Sequence, residues 1–190
     1  VKVFDVSEIE SFELALKLPV LEDRPFKSVF ASAINRYEEL VANRGKNGIH
    51  TGLFSFDKDS GGLKKGQMTV ISAETNGGKT SVAMNFVNAA LTAGHGVALF
   101  TLEMDRDEIC DMLMAMNCQV NRSHFNTGDF TEGEIKSMTV RGSWFSSLKL
   151  WIEDAPMMTA AIIRARTLQL VREKQIGLVV VDYIQFVSPE

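Results

Sequence analysis

Residues Ile71–Ser81, "ISAETNGGKTS", decide the reading of this chain. Gly78, Lys79 and Thr80 match the end of the phosphate-binding pattern G-x-x-x-x-G-K-[ST], but Ala73 stands where that pattern opens on glycine. The stretch lies between the apolar run "QMTVISA", residues 67–73, which reads as a short strand, and "KTSVAMNFVNAALTAG", residues 79–94, which reads as an amphipathic helix ending at glycine. In that setting the N–H groups of a tight loop and the positive end of the helix converge on a β-phosphate. Gly77 and Gly78 let the backbone approach closely, Lys79 reaches the β- and γ-phosphates, and the Thr80 hydroxyl ligates Mg²⁺. Thr75, Asn76 and Ser81 complete the loop. Ala73 only begins the turn and serves there with ordinary backbone angles, whereas Gly78 and Lys79 have no easy substitutes. The Glu74 carboxylate repels a triphosphate unless it points outward, which weakens affinity without abolishing the site. A glycine-rich turn with no ligand is the competing reading.

Outward from this stretch the pattern alternates. "GVALFTLE", residues 96–103, is a second strand, followed by a Met-rich helix near Asp107–Asn117. A strand "LKLWIED", a helix capped by Thr159 and a strand "GLVVVDY" come next. Continuous apolar strands between helices indicate an α/β fold with a mainly parallel sheet covered on both faces. Asp182 follows four apolar residues at a strand end, the edge where ligands of such sheets gather. Alone it reads equally as a turn or helix cap; beside the loop it reads as a second Mg²⁺ ligand. Glu103 ends the neighbouring strand at the same edge and is the candidate to orient or deprotonate an attacking water. Asp107 and Glu108 serve the first turn of the next helix.

The first 47 residues differ from the rest. Ser7 and Glu10 form a capping box for a short helix that Pro19 ends. In a second helix, Ser28 to Val41, Val29, Phe30, Ala33, Ile34, Tyr37, Leu40 and Val41 keep to one stripe. That stripe packs either on its own domain or on a neighbouring subunit, since the polar segment "ANRGKNGIHTG", residues 42–52, can act as a hinge after it. The chain thus divides into a helical leader, residues 1–47, and a core, residues 48–190.

With 190 residues, 45% hydrophobic and 23% charged, the sequence suits a globular domain with a real core. A net charge of −4 offers no global basic footprint, so nucleic acid contact has to come from a local patch or from assembly. No apolar run approaches the roughly 20 residues of a membrane span. The start lacks both a signal-peptide pattern and an initiator Met, which suggests a processed chain or a fragment. Cys110 and Cys118 read as reduced core or near-core thiols of a cytoplasmic protein. His50, His95 and His124 are too scattered for a metal site. Ser60 and Ser143 lack the strand–elbow–helix setting of a nucleophile. Arg164, Arg166 and Arg172 read as a solvated helix face, and Trp144 and Trp151 as core or loop anchors.

Taken in order, the segments "GIHTGLFSFDKDSGGLKKGQMTVISAETNGGKTSVAMNFVNAA", "ALFTLEM", "FNTGDF", "IEDAPMMTAAIIRAR" and "LVVVDYIQF" resemble the ATPase domain of DnaB-type replicative DNA helicases, over about Gly48 to Val187. The resemblance implies a RecA-like P-loop NTPase fold preceded by a linker helix, a ring hexamer with ATP and Mg²⁺ at subunit interfaces, and translocation on single-stranded DNA. It implies a phosphate role for Lys79, Mg²⁺ roles for Thr80 and Asp182, and catalysis by Glu103; Gln185 matches a family glutamine with a supporting role near the site. It also implies that the helix from Ser28 to Val41 docks on the adjacent subunit, and that a primase or loader is a partner. The family's N-terminal domain has no counterpart in the leader. Its γ-phosphate sensor, central-channel DNA loops and arginine finger fall beyond the last residue, which implies that this chain alone turns over ATP barely or not at all. Two other functions share these motifs: a RecA-like regulatory or recombination ATPase that uses ATP as an assembly switch, and a non-catalytic oligomerisation module.

Overall fold

A computed structural model describes residues 25–42, 48–74, 77–155, 158–182 and 187–188. The chain divides into two units, residues 1–77 and 78–190. The expected leader helix around Ser7–Pro19 and residues 43–47 of the expected hinge lie outside the described residues, while the rest of that hinge is ordered structure, with Gly48–Ile49 in a strand and Thr51 buried.

In the first unit, helix α1 spans Phe26–Ala42, and none of its residues is buried. The stripe expected to be covered stands open, with Phe30 57% and Tyr37 53% exposed. Strand β1, Gly48–Ile49, is joined through helix α2, Phe54–Ser60, to strand β2, Leu63–Lys64, with which it pairs antiparallel. The carboxylate of Asp57 organises this connection. It accepts the Thr51 N–H at 2.9 Å, the Thr51 hydroxyl at 2.9 Å and the Gly52 N–H at 3.0 Å. Burial alone would raise the pKa of this carboxyl, but these donors outweigh it and hold the group below its ordinary value. The strand expected at Gln67–Ala73 is absent as a ladder: none of these residues is paired in a sheet, and Met68 and Val70 are nearly half exposed. Apolar alternation marks a segment able to join a sheet, but a strand exists only where a partner supplies the hydrogen bonds.

The second unit contains, in order, α3 (Lys79–Thr92), β3 (Gly96–Thr101), α4 (Arg106–Cys118), α5 (Arg122–Thr127), α6 (Glu132–Ser147), β4 (Leu150–Glu153), β5 (Met158–Thr159), α7 (Ala160–Lys174), β6 (Ile176–Asp182) and β7 (Val187–Ser188). β3 is the centre of a parallel sheet of order β4-β3-β6. All six of its residues are buried, so both faces of the sheet are covered there. Ala98 and Phe100 pack with Ile163 and Leu170 of α7 on one face. Val97 and Leu99 alternate to the other, where α3 lies on β3 and β6 through a buried set that includes Ala83, Val87, Ala90 and Leu91. β5 and β7 form a separate parallel pair. Thr159 caps α7 as expected, accepting the Ile162 N–H, and Asp107 and Glu108 lie in the first turn of α4 as expected, where Glu108 also forms a reciprocal capping box with Asp105. Cys118 is buried, but Cys110 is exposed, lying beside rather than on the side of α4 that buries Ile109, Met112 and Leu113.

Glu134 joins the α5 and α6 ends. Its carboxylate accepts the Thr131 N–H at 2.8 Å and the Asn121 N–H at 3.1 Å, and lies 3.0 Å from His124 Nδ1. The Thr131 and then the Asn121 backbone donors pull its pKa down to about 2, from an ordinary 4.5. A carboxylate depressed on folding stabilises above its ordinary value, and that contribution drains away as pH falls through the folded value. The melting temperature of the wild type is therefore expected to exceed that of Glu134→Gln at neutral pH, with the gap closing between about pH 4.5 and pH 2. A gap independent of pH over this range would refute the role given to the ionised group.

Candidate functional site

The start of α3 is shaped to receive an anion. Gly78 is its N-cap, in the left-handed conformation with φ of 81°, which favours glycine. Gly78 brings no side chain of its own to cap this end, and no acidic residue occupies the first turn. The opening amides of a helix have no carbonyl four residues back, so a helix end without a side-chain cap directs both N–H groups and dipole at whatever approaches. Lys79 and Thr80 are the first two residues of the helix; Ser81 follows, exposed, its carbonyl accepting the Asn85 side-chain amide at 2.8 Å. In the first unit, the Gly77 N–H donates to the Glu74 carbonyl at 2.8 Å, and a Cβ on Gly77 would stand 2.8 Å from that oxygen and 2.9 Å from Ala73 Cβ. Glycine is thus required at 77 for close approach and at 78 for its backbone angle. Ala73 is partly buried and Glu74 is exposed.

α3 leads through Ala93–His95 straight into β3, so it runs antiparallel to the strand it covers. Its 14 residues span about 21 Å, against about 20 Å for the six residues of β3. The helix start is therefore level with the carboxyl ends of the strands. At that edge Thr101 is in register with Asp182, and the Leu102 N–H donates to the Asp182 carbonyl at 2.9 Å. Asp182 is the buried last residue of β6, and Glu103 is exposed in the bend immediately after β3. One sheet edge thus gathers a lysine and a hydroxyl at a helix start with a buried and an exposed carboxylate at adjacent strand ends. That donor set fits a phosphate chain with a hard cation: Mg²⁺ takes one or two protein oxygens and draws its other ligands from phosphate and water.

Thr75, Asn76 and Gln185 lie outside the described residues. Two features of this edge are not legible in the sequence. Thr101, 1% exposed, donates its hydroxyl to the Met104 carbonyl at 2.7 Å and receives the Met104 N–H at 3.2 Å. Arg106 at the head of α4 grips both oxygens of Asp154, just past β4. That guanidinium brings the Asp154 carboxyl down to about 2. The run of arginines on α7 is not wholly a solvated face, since Arg166 binds Glu153 at 2.7 Å and Gln169 at 2.7 Å.

The family model for the DnaB-like helicase C terminal domain matches residues 48–190. The replicative DNA helicase DnaC of Bacillus subtilis is 27% identical over 164 residues, covering 85% of this chain and 36% of the relative. The replicative DNA helicase DnaB of Buchnera aphidicola is 28% identical over 191 residues, covering 97% of this chain and 41% of the relative. The chain therefore spans well under half the length of these curated relatives. Among solved structures, one ATPase domain superposes with a TM-score of 0.75 at 20% identity, covering 88% of this chain and 60% of that one. A DnaB-like replicative helicase, solved in a study of its interactions with primase, gives 0.74 at 17%, covering 97% and 49%. These likenesses show the fold, a RecA-like α/β core.

Proposed function

Because this chain belongs to the family of DnaB-like helicase C-terminal domains, we propose that it is the ATP-binding and hydrolysing motor of a replicative DNA helicase, which translocates on single-stranded DNA as a ring hexamer. The observation that carries the reading is the meeting of the α3 start with the ends of β3 and β6 at one sheet edge. There Lys79 and the opening amides of α3 hold the β- and γ-phosphates, with the loop from Ala73 to Ser81 as the cradle. Thr80 and Asp182 hold Mg²⁺, which when bound neutralises charge on the phosphate oxygens. Glu103 orients or deprotonates the attacking water, and Gln185 supports the site from the segment after β6. Residues 48–190 form the motor and residues 1–47 the leader, whose open apolar stripe on α1 docks on the adjacent subunit of the ring. The same role implies a bacterial or phage-infected cytoplasm and contact with a primase or loader. Among the described residues no helix is long and apolar enough to cross a membrane.

The assembled ring carrying this chain is expected to displace the strand of a forked DNA duplex with MgATP and not with a non-hydrolysable analogue. A ring that hydrolyses ATP but never separates strands would place the chain instead among RecA-like switches, and a folded chain without nucleotide affinity would make it an oligomerisation module.

A further inference from the structure

We propose that Thr101 is a positioning residue for hydrolysis: its buried hydroxyl sets the bend that presents Glu103 to the nucleotide. The inference rests on the ATPase reading above and adds a residue to which neither the motifs nor the family match assigns a role. Thr101 ends β3 with its side chain enclosed, so its hydroxyl has to find its partners within the protein. Here both of its hydrogen bonds go to one residue three positions on, the carbonyl of Met104 at 2.7 Å and the N–H of Met104 at 3.2 Å. Glu103 lies inside the small ring so closed.

The start of the bend is fixed independently. The Leu102 N–H donates to the carbonyl of Asp182 at 2.9 Å, carrying the β3–β6 ladder one residue past its last pair. The bend bearing Glu103 is thereby tied by its backbone to the residue given the metal, and Thr101 locks its far side. Beyond it, the Asp105–Glu108 capping box fixes the first turn of α4, and Arg106 in that turn binds Asp154 just past β4. Glu103 itself is exposed, so its placement depends on the backbone beneath it. A base misplaced by about 1 Å costs on the order of 10²-fold in rate.

The experiment compares Thr101→Val, Thr101→Ser, Glu103→Gln and Lys79→Ala with the wild type. It reads melting temperature and MgATP affinity by titration for each chain, and single-turnover cleavage of γ-labelled ATP by the assembled ring carrying it, with protein in excess. Thr101→Val matches the side chain in shape and is expected to stay folded and to bind MgATP within about twofold of the wild type, while cleaving at least about tenfold more slowly. Thr101→Ser restores the hydroxyl and is expected to recover cleavage to within about threefold of the wild type. Cleavage by Thr101→Val within twofold of the wild type, while Glu103→Gln is impaired, would overturn the proposal and leave the ATPase reading standing. So would failure of Thr101→Ser to recover cleavage. Unchanged affinity in Lys79→Ala would remove the ATPase reading and this proposal with it, and a wild type no faster than Glu103→Gln would show that another group activates the water and overturn this proposal.

Discussion

In the assembled ring carrying this chain, Glu103→Gln is expected to slow ATP cleavage by about 10² to 10⁴-fold while leaving MgATP affinity within a few-fold of the wild type. The substitution keeps the shape and exposure of the side chain and removes only its ability to take a proton or to pull on a water with full negative charge. Glu103 stands past the end of β3, level with the start of α3 but outside the helix, and so contributes to the chemical step more than to holding the phosphates. Loss of an interaction made mainly in the transition state lowers kcat without raising KM. Single-turnover cleavage measured beside an equilibrium titration separates the two quantities. A rate within threefold of the wild type would show that another group activates the water.

Lys79→Ala is expected to have the opposite signature, weakening MgATP binding by about 10 to 10²-fold, the equivalent of one charge-assisted hydrogen bond. Lys79 is the first residue of α3, beside an N-cap glycine with no capping side chain, so no other cation of that first turn takes over its task. Because binding precedes cleavage, turnover at low ATP falls at least as far. Circular dichroism separates this from misfolding, since the helix core from Ala83 to Leu91 is untouched. Affinity equal to that of the wild type would mean that the phosphates do not lie at the helix start.

The buried sheet is legible in the sequence for a simple reason. "GVALF" is a continuous apolar run bounded by polar residues, as a strand covered on both faces requires, and β3 is buried throughout; "LVVV" has the same pattern, but β6 leaves Val179 exposed. The edge residues Asp182 and Glu103 follow from the same logic, because the change from apolar to acidic marks where a strand leaves the core. What the pattern does not encode is the partner. Gln67–Ala73 has the composition of a strand without a ladder, and the stripe on α1 identifies the residues that seek cover but not what covers them. Cys110 departs from expectation because a Met-rich segment suggests burial, whereas Ile109, Met112 and Leu113 cluster to one side of position 110 on the helix and leave it exposed. Thr101 is hidden for a different reason. A threonine at a strand end is read as a β-branched strand former, and the hydrogen bonds it makes across a bend depend on backbone angles that local composition does not specify.

Whether a loop opening on Ala73 and Glu74 and closing on Gly78 and Lys79 is a working nucleotide cradle is settled by isothermal titration of MgATP into the folded wild-type chain, repeated with the Mg²⁺ removed by EDTA. Saturable binding at one site per chain is expected, weakening markedly without Mg²⁺, since Thr80 and Asp182 act on the phosphates only through the metal. No binding by the folded chain, or binding indifferent to Mg²⁺, would contradict the assignment of this loop and these two ligands.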